Sequence, residues 1–229
     1  MRIRQLISSS IRTAVVSLFL MLVATPASAQ KFFTLEKDSI SVFRGFALSF
    51  DLAGAGMAMF SDYGQYEGTL RLNLHDEWFP LVEIGLGRAD AEDEVTKNRY
   101  TTKAPYFKVG VDKNLLKEKH GPYRLTVGLR YAYTSYKANI TRPGLVDPYW
   151  QYEAIYDIKD APCKMHWAEV AVGLDAKIWG PFHLGWSVRY KLRIAHKEEG
   201  DFGKTWYVPG FGVNSNGRID ATFNATIDI

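Results

Sequence analysis

From residue 46 onward, apolar and polar residues alternate with a period of two over long stretches. At the C-terminal end Ile219, Ala221, Phe223, Ala225, Ile227 and Ile229 are apolar, while Arg218, Asp220, Thr222, Asn224, Thr226 and Asp228 between them are polar. An α-helix cannot keep this order, whereas a strand with two chemically different faces does. The run from Phe182 repeats it: Phe182, Leu184, Trp186, Val188, Tyr190, Leu192 and Ile194 form one face, and His183, Gly185, Ser187, Arg189, Lys191 and Arg193 the other. Six further segments fit the template, apolar at Phe46–Leu52, Tyr66–Leu74, Val82–Leu86, Phe107–Val111, Tyr123–Tyr131 and Ala168–Ile178. Eight antiparallel strands are therefore expected.

The connections alternate in length. Those near His75 to Pro80 and at Trp179-Gly180-Pro181 are short, whereas Gly54 to Gln65, Arg88 to Pro105, Ser135 to Met165 and Ala195 to Gly217 are long and polar or Gly-rich, and are expected as loops. Short turns on one side and long loops on the other are the habit of an outer-membrane barrel. The expected fold class is thus all-β: an eight-stranded antiparallel up-and-down transmembrane β-barrel, with short periplasmic turns and long extracellular loops. No apolar run is long enough for a membrane-spanning helix, so a membrane-resident chain must close into a barrel to satisfy its backbone.

Alternation does not say which face is outside, because a soluble eight-stranded barrel keeps its apolar face inward around a ligand. Three features favour the membrane, beginning with the polar face. It carries scattered Gly and charges of both signs: Asp51, Glu67, Glu83, Asp112, Glu169, Asp175 and Asp220 against Arg71, Lys108, Arg130, Lys177, Arg189, Lys191 and Arg193. Such a face suits a self-neutralising lumen, since buried charges must be paired. Phe182, Trp186 and Tyr190 on the apolar face resemble a lipid-facing aromatic girdle. The last strand, ending on Ile229, resembles the terminal signal read by the barrel-assembly machinery.

The beginning of the chain changes the charge picture. Arg2, Arg4 and Arg12 precede the apolar and small run Thr13 to Val23, and Ala27-Ser28-Ala29 supplies small residues for cleavage. Residues 1–29 are expected to be a secretory signal and residues 30–229 the barrel domain. The chain has 28 Lys+Arg against 25 Asp+Glu. Three of the Arg and none of the acids lie in the signal, so the mature chain is balanced and nucleic-acid binding is not expected. Cys163 is the sole cysteine, which excludes an internal disulfide; it is expected as an incidental loop thiol.

Several segments resemble a family of uncharacterised small outer-membrane β-barrel proteins from Gram-negative bacteria: FPLVEIGLGRAD (79–90), APYFKVGVD (104–112), VGLRY (127–131), KIWGPFHLGWSVRYK (177–191) and WYVPGFG (206–212). The resemblance implies a barrel, with an architecture similar to OmpA/OmpX-type barrels, and carries no activity.

Candidate chemistry is sparse. His75, His120, His166, His183 and His196 are scattered without metal-ligand spacing, and each is expected at the rim or in the lumen. His183 and Ser187 share a face but lack a nearby orienting acid in sequence. No catalytic residue, metal or cofactor is expected. Arg189, Lys191 and Arg193 at successive lumen positions read as part of the salt-bridged filling rather than as an anion site. The segment from Ser135 to Met165 carries Tyr149, Trp150, Tyr152 and Tyr156, aromatics able to bind an extracellular ligand. The expected partners are outer-membrane lipids and the assembly machinery, and the expected role is a non-enzymatic structural or loop-binding barrel. A small-solute transport or ligand-binding barrel is the alternative, and a lipid-modifying outer-membrane enzyme comes after it.

Overall fold

A computed structural model describes residues 41–229, apart from 96, 147–148, 150–152 and 199–204 and the side chains of 142–146 and 153–156. In chain order the elements are β1 (Phe43–Asp51), α1 (Leu52–Phe60), β2 (Tyr63–Leu74), β3 (Trp78–Glu92), β4 (Arg99–Asn114), β5 (Tyr123–Val146), β6 (Glu153–Trp179), β7 (Phe182–Glu198), the two-residue strands β8 (Tyr207–Val208) and β9 (Gly212–Val213), and β10 (Gly217–Asp228). Eight of the ten strands close a barrel in the order β1-β10-β7-β6-β5-β4-β3-β2, every neighbouring pair antiparallel. Closure between β1 and β10, with Leu48 opposite Ile227, leaves that sheet without free edges there.

The period-two pattern decides the two faces of the wall. Phe46, Leu48, Phe50, Leu70, Val82, Ile84, Phe107, Val109, Leu129, Val170, Val172, Trp186, Val188, Phe223 and Ile227 all stand exposed on the outside. Such a belt running round every barrel strand exceeds the roughly 300–600 Å² of apolar patch that a soluble monomer exposes, and is stable against lipid. Among the described residues no helix is long and apolar enough to cross a membrane. The strands do so instead.

Beyond the belt the strands continue much further than the sequence pattern implies. The expected loops Arg88 to Pro105 and Ser135 to Met165 are largely strand, and β5 and β6 pair from Tyr123↔Ala176 to Val146↔Glu153. The reason is a change of solvent. The parity of inward and outward positions stays fixed along β6, but above the belt the outside meets water. There the outward residue is Lys164, while inward Cys163, Met165 and Trp167 are buried. The apolar side thus moves from the outer to the inner face without a break in the strand.

The expected loop Gly54 to Gln65 contains a second departure. After Asp51 the wall strand β1 stops and becomes α1, with the Asp51 carboxylate accepting from the Ala53 N–H at 3.1 Å as an N-cap. The segment LAGAGMAMF has no charge, and its small residues allow close packing. Ala58 is buried, and a Cβ on Gly64 of β2 would lie only 2.2 Å from the Ala58 nitrogen. Helix and strand backbones therefore touch at this glycine. Met57, Met59 and Phe60 remain exposed.

Candidate functional site: the lumen

The barrel interior is filled by two layers. The membrane-level layer is ionic and centres on three glutamates that would repel one another without counter-charges. Lys108 Nζ lies 2.8 Å from Glu67, 3.4 Å from Glu83 and 3.1 Å from Glu169, with none of these side chains exposed beyond 1%. Arg189 donates to Glu67 at 2.7 Å and Glu83 at 3.1 Å. Arg130 joins Glu83 at 2.9 Å to Asp112 at 3.0 Å, and Arg71 reaches Asp175 at 3.2 Å. Lys191 pairs with Asp220 and also donates to the Gly210 carbonyl at 2.9 Å. These groups come from most strands of the barrel, so the network ties the wall together across its diameter. Between Arg71, Asp112, Arg130 and Asp175 a cavity of about 20 Å³ remains, room for about one water molecule.

The layer above is aromatic. Ala89, Tyr100, Ala104, Tyr106, Ala132, Tyr136, Ala138, Cys163, Met165 and Trp167 face inward and pack against Tyr207, Val208 and Phe211. The last three belong to the β8–β9 hairpin, which turns inward and packs within this layer. The Tyr106 ring is held between two glycines: a Cβ on Gly85 would lie 2.2 Å from it and one on Gly210, at φ +80°, 2.4 Å. The two layers are stitched together. Tyr106 Oη donates to Glu67 at 2.8 Å, and Trp167 Nε1 to Glu169 at 2.7 Å. Tyr100 Oη donates to the Tyr207 carbonyl at 2.6 Å.

A third cluster lies at the opposite end of the barrel, at the tight β2–β3 turn. His75 and Asp76 adopt positive φ, and Asn73 locks the turn through its amide, which donates to Asp76 at 2.6 Å. Burial pushes the Asp76 carboxyl up, but hydrogen bonds from Asn73 and His120 and the charges of Arg44 and Arg124 outweigh it, so its pKa falls below the usual aspartate range. Arg124 also donates to Asp228 at 2.7 Å, and His183 Nε2 lies 3.2 Å from the same carboxylate.

Not every polar-face residue joins the ionic layer. Asp51 makes no ion pair among the described residues; it caps α1 and accepts from the Phe223 N–H at 3.2 Å. Arg193 bonds Asn214 at 3.1 Å and Asn216 rather than a carboxylate, because the returning hairpin brings these amides to it. Lys177 is exposed at the barrel end, where β6 leaves the lumen for solvent. Cys163 is a buried strand residue of the aromatic layer, not a loop thiol. His166 stands outside the barrel, hydrogen-bonded to Tyr131 at 2.7 Å. Of the loop aromatics, Tyr149 is exposed, while Trp150, Tyr152 and the side chain of Tyr156 lie outside the described residues.

The sequence reading missed Tyr106 and Trp167 as lumen residues and Arg124, Asp76 and Asp228 as an end cluster. Arg124 and Asp228 do occupy the polar parity of their strands, a signal that could have placed them. His183 and Ser187, which share a face in the sequence pattern, diverge: Ser187 Oγ shares a hydrogen bond with Thr222 at 2.7 Å and accepts from Arg189 at 3.3 Å, while His183 faces Asp228. Among the described residues no group of three His, Cys, Asp or Glu has a metal-holding arrangement.

A closed antiparallel wall, an apolar exterior and a charged, filled interior define the chain as a membrane-spanning β-barrel of the small outer-membrane type. Its sequence matches over residues 9–228 the family described as "Domain of unknown function (DUF6048)", and the chain belongs to that family. No match was found among curated protein sequences. Among solved structures, it is similar to a major outer membrane protein from Thermus thermophilus, at 12% identity and TM-score 0.46, covering 81% of this chain and 100% of that one. It is also similar to Neisserial surface protein A, at 10% identity and TM-score 0.43 over 82% and 99% of the two chains. A third is Ail of Yersinia pestis, solved in complex with the heparin analogue sucrose octasulfate, at 10% identity and TM-score 0.37 over 80% and 93%.

Proposed function

We propose that the chain resides in the outer membrane as a closed, non-enzymatic barrel that serves a structural or loop-mediated binding role. Residues 1–29 act as its cleaved export signal, and the barrel-assembly machinery inserts it among outer-membrane lipids. The observation that carries this reading is the filling of the lumen. The Lys108–Glu67–Glu83–Glu169–Arg189 centre spans the bore, and the β8–β9 hairpin seals the aromatic layer above it. Eight strands enclose little more space than their own side chains occupy. A conducting path would have to break several buried ion pairs at once, and stranding one partner of such a pair costs about 3–5 kcal/mol.

Planar-bilayer recordings of the refolded protein test the reading. No stable single-channel openings are expected under moderate voltage. Reproducible openings would favour the transport alternative and contradict a closed lumen.

A further inference from the structure

Above the apolar belt, one arc of the outer surface is basic. Arg88 on β3, Lys103 on β4, Lys137 on β5, Lys164 on β6 and Lys197 on β7 are all exposed, and their neighbours Ala89, Ala104, Tyr136, Ala138, Cys163 and Met165 are buried on the inner face. The register sets like beside like. Arg88 lies opposite Lys103, and Lys164 opposite Lys197. The Thr102↔Ala138 pair brings Lys103 beside Lys137. Like charges facing each other across strands are destabilising, and an external anion seated among Arg88, Lys103 and Lys164 would relieve that repulsion.

The other end of the barrel is built differently. There several basic residues have carboxylate partners: Arg44 with Asp76 at 3.1 Å, Lys113 with Glu77 at 3.5 Å and Lys119 with Glu77 at 2.9 Å. Near the arc, two acids of the described residues are already engaged. Asp90 is gripped in bidentate fashion by Arg99 at 2.8 and 2.9 Å, and Asp160 faces Lys137 at 3.5 Å. Among the described residues Arg88, Lys103 and Lys164 form no ion pair.

Height fixes the kind of anion. The arc sits one or two outward positions beyond the lipid-facing Leu86, Phe107 and Tyr133, and one outward position spans about 7 Å along a strand. Tyr133 packs on His166 with ring centroids 4.7 Å apart, just below Lys164. A lipid whose acyl chains lie on Ile84, Phe107 and Val109 would bring its headgroup to this level. On the opposite side of the barrel, the uncharged α1 replaces the top of β1 and offers no such charge.

We propose that the arc formed by Arg88, Lys103, Lys137, Lys164 and Lys197 binds the phosphate groups of phosphorylated glycolipid in the bilayer leaflet at the extracellular end of the barrel. The proposal rests on the membrane reading above and adds a lipid class and a side of the barrel to it.

Native mass spectrometry of the folded mature protein in detergent, titrated with bisphosphorylated lipid A, tests it. Chemically dephosphorylated lipid A, inorganic pyrophosphate and soluble dextran sulfate are the comparison probes. Bisphosphorylated lipid A is expected to bind in preference to all three. The combined Arg88→Gln, Lys103→Gln and Lys164→Gln variant is expected to bind it about 100-fold more weakly, and Lys164→Gln alone about fivefold. Lys119→Gln at the far end is expected to bind as the wild type does. Equal binding of the dephosphorylated lipid, or wild-type affinity in Lys164→Gln and the combined variant, would overturn the proposal. Tighter binding of dextran sulfate than of the lipid would assign the arc to a soluble polyanion and also overturn it. Heat-modifiable gel migration, read on each sample, separates loss of lipid binding from failure of the barrel itself.

Discussion

At the residue scale the ionic layer sets the strongest demand. Lys108 is fully buried, and three glutamates converge on it. Lys108→Ala would leave Glu67, Glu83 and Glu169 to Arg189 and Arg130. A loss of about 3–5 kcal/mol is expected, as when one partner of a buried pair is removed. The temperature at which the folded gel band is lost should drop sharply for Lys108→Ala and scarcely move for Glu94→Ala, whose side chain is solvent-exposed. Equal effects would mean that the layer contributes nothing to stability. How far this layer is legible in sequence follows from parity. Strand parity tells which side of the wall Lys108 and Glu169 occupy. It does not tell which carboxylate each cation meets, because partners such as Arg189 and Glu67 are 122 positions apart and meet only across the closed bore. Arg193 shows the consequence: it shares the parity of Lys191, yet its partners are asparagines from the returning hairpin.

Among the elements, the lipid-crossing parts of the strands are plain in sequence because one solvent, lipid, acts along the outer face. The extensions of β3 to β6 are hidden, because the apolar residues change side where lipid gives way to water. Trp167, Met165 and Cys163 then break the pattern set by Val170 and Val172, although the strand runs on. The helix α1 is hidden for another reason. Its Ala, Gly and Met residues carry no alternation, and Gly54 and Gly56 read as turn residues. The hairpin β8–β9 is too short for any periodicity, and its lumen position depends on Gly210 approaching Tyr106. Gly210→Val would place a branched side chain at φ +80° against that ring, and undocking of the hairpin is expected. The sole cysteine reports on it: Cys163 is 1% exposed in the same cluster. Its reaction with a small maleimide is expected to be slow in the wild type and clearly faster in the variant. Unchanged labelling would show that the hairpin is not what covers this layer.

On the scale of the whole molecule, the wall has a single orientation: apolar residues face lipid outside, and charges and aromatics fill the bore. Two tryptophans of nearby strands report on the two sides. Trp186 on β7 is 50% exposed on the belt, and Trp167 on β6 is fully buried inside. Variants retaining only one of the chain's six tryptophans, the others replaced by Phe, can be refolded into vesicles of brominated phosphatidylcholine. Bromine on the acyl chains quenches indole fluorescence only at close range. Strong quenching of the Trp186-only protein and little quenching of the Trp167-only protein are expected. Quenching of Trp167 with Trp186 unaffected, or of neither, would contradict a membrane-spanning barrel with this face outward.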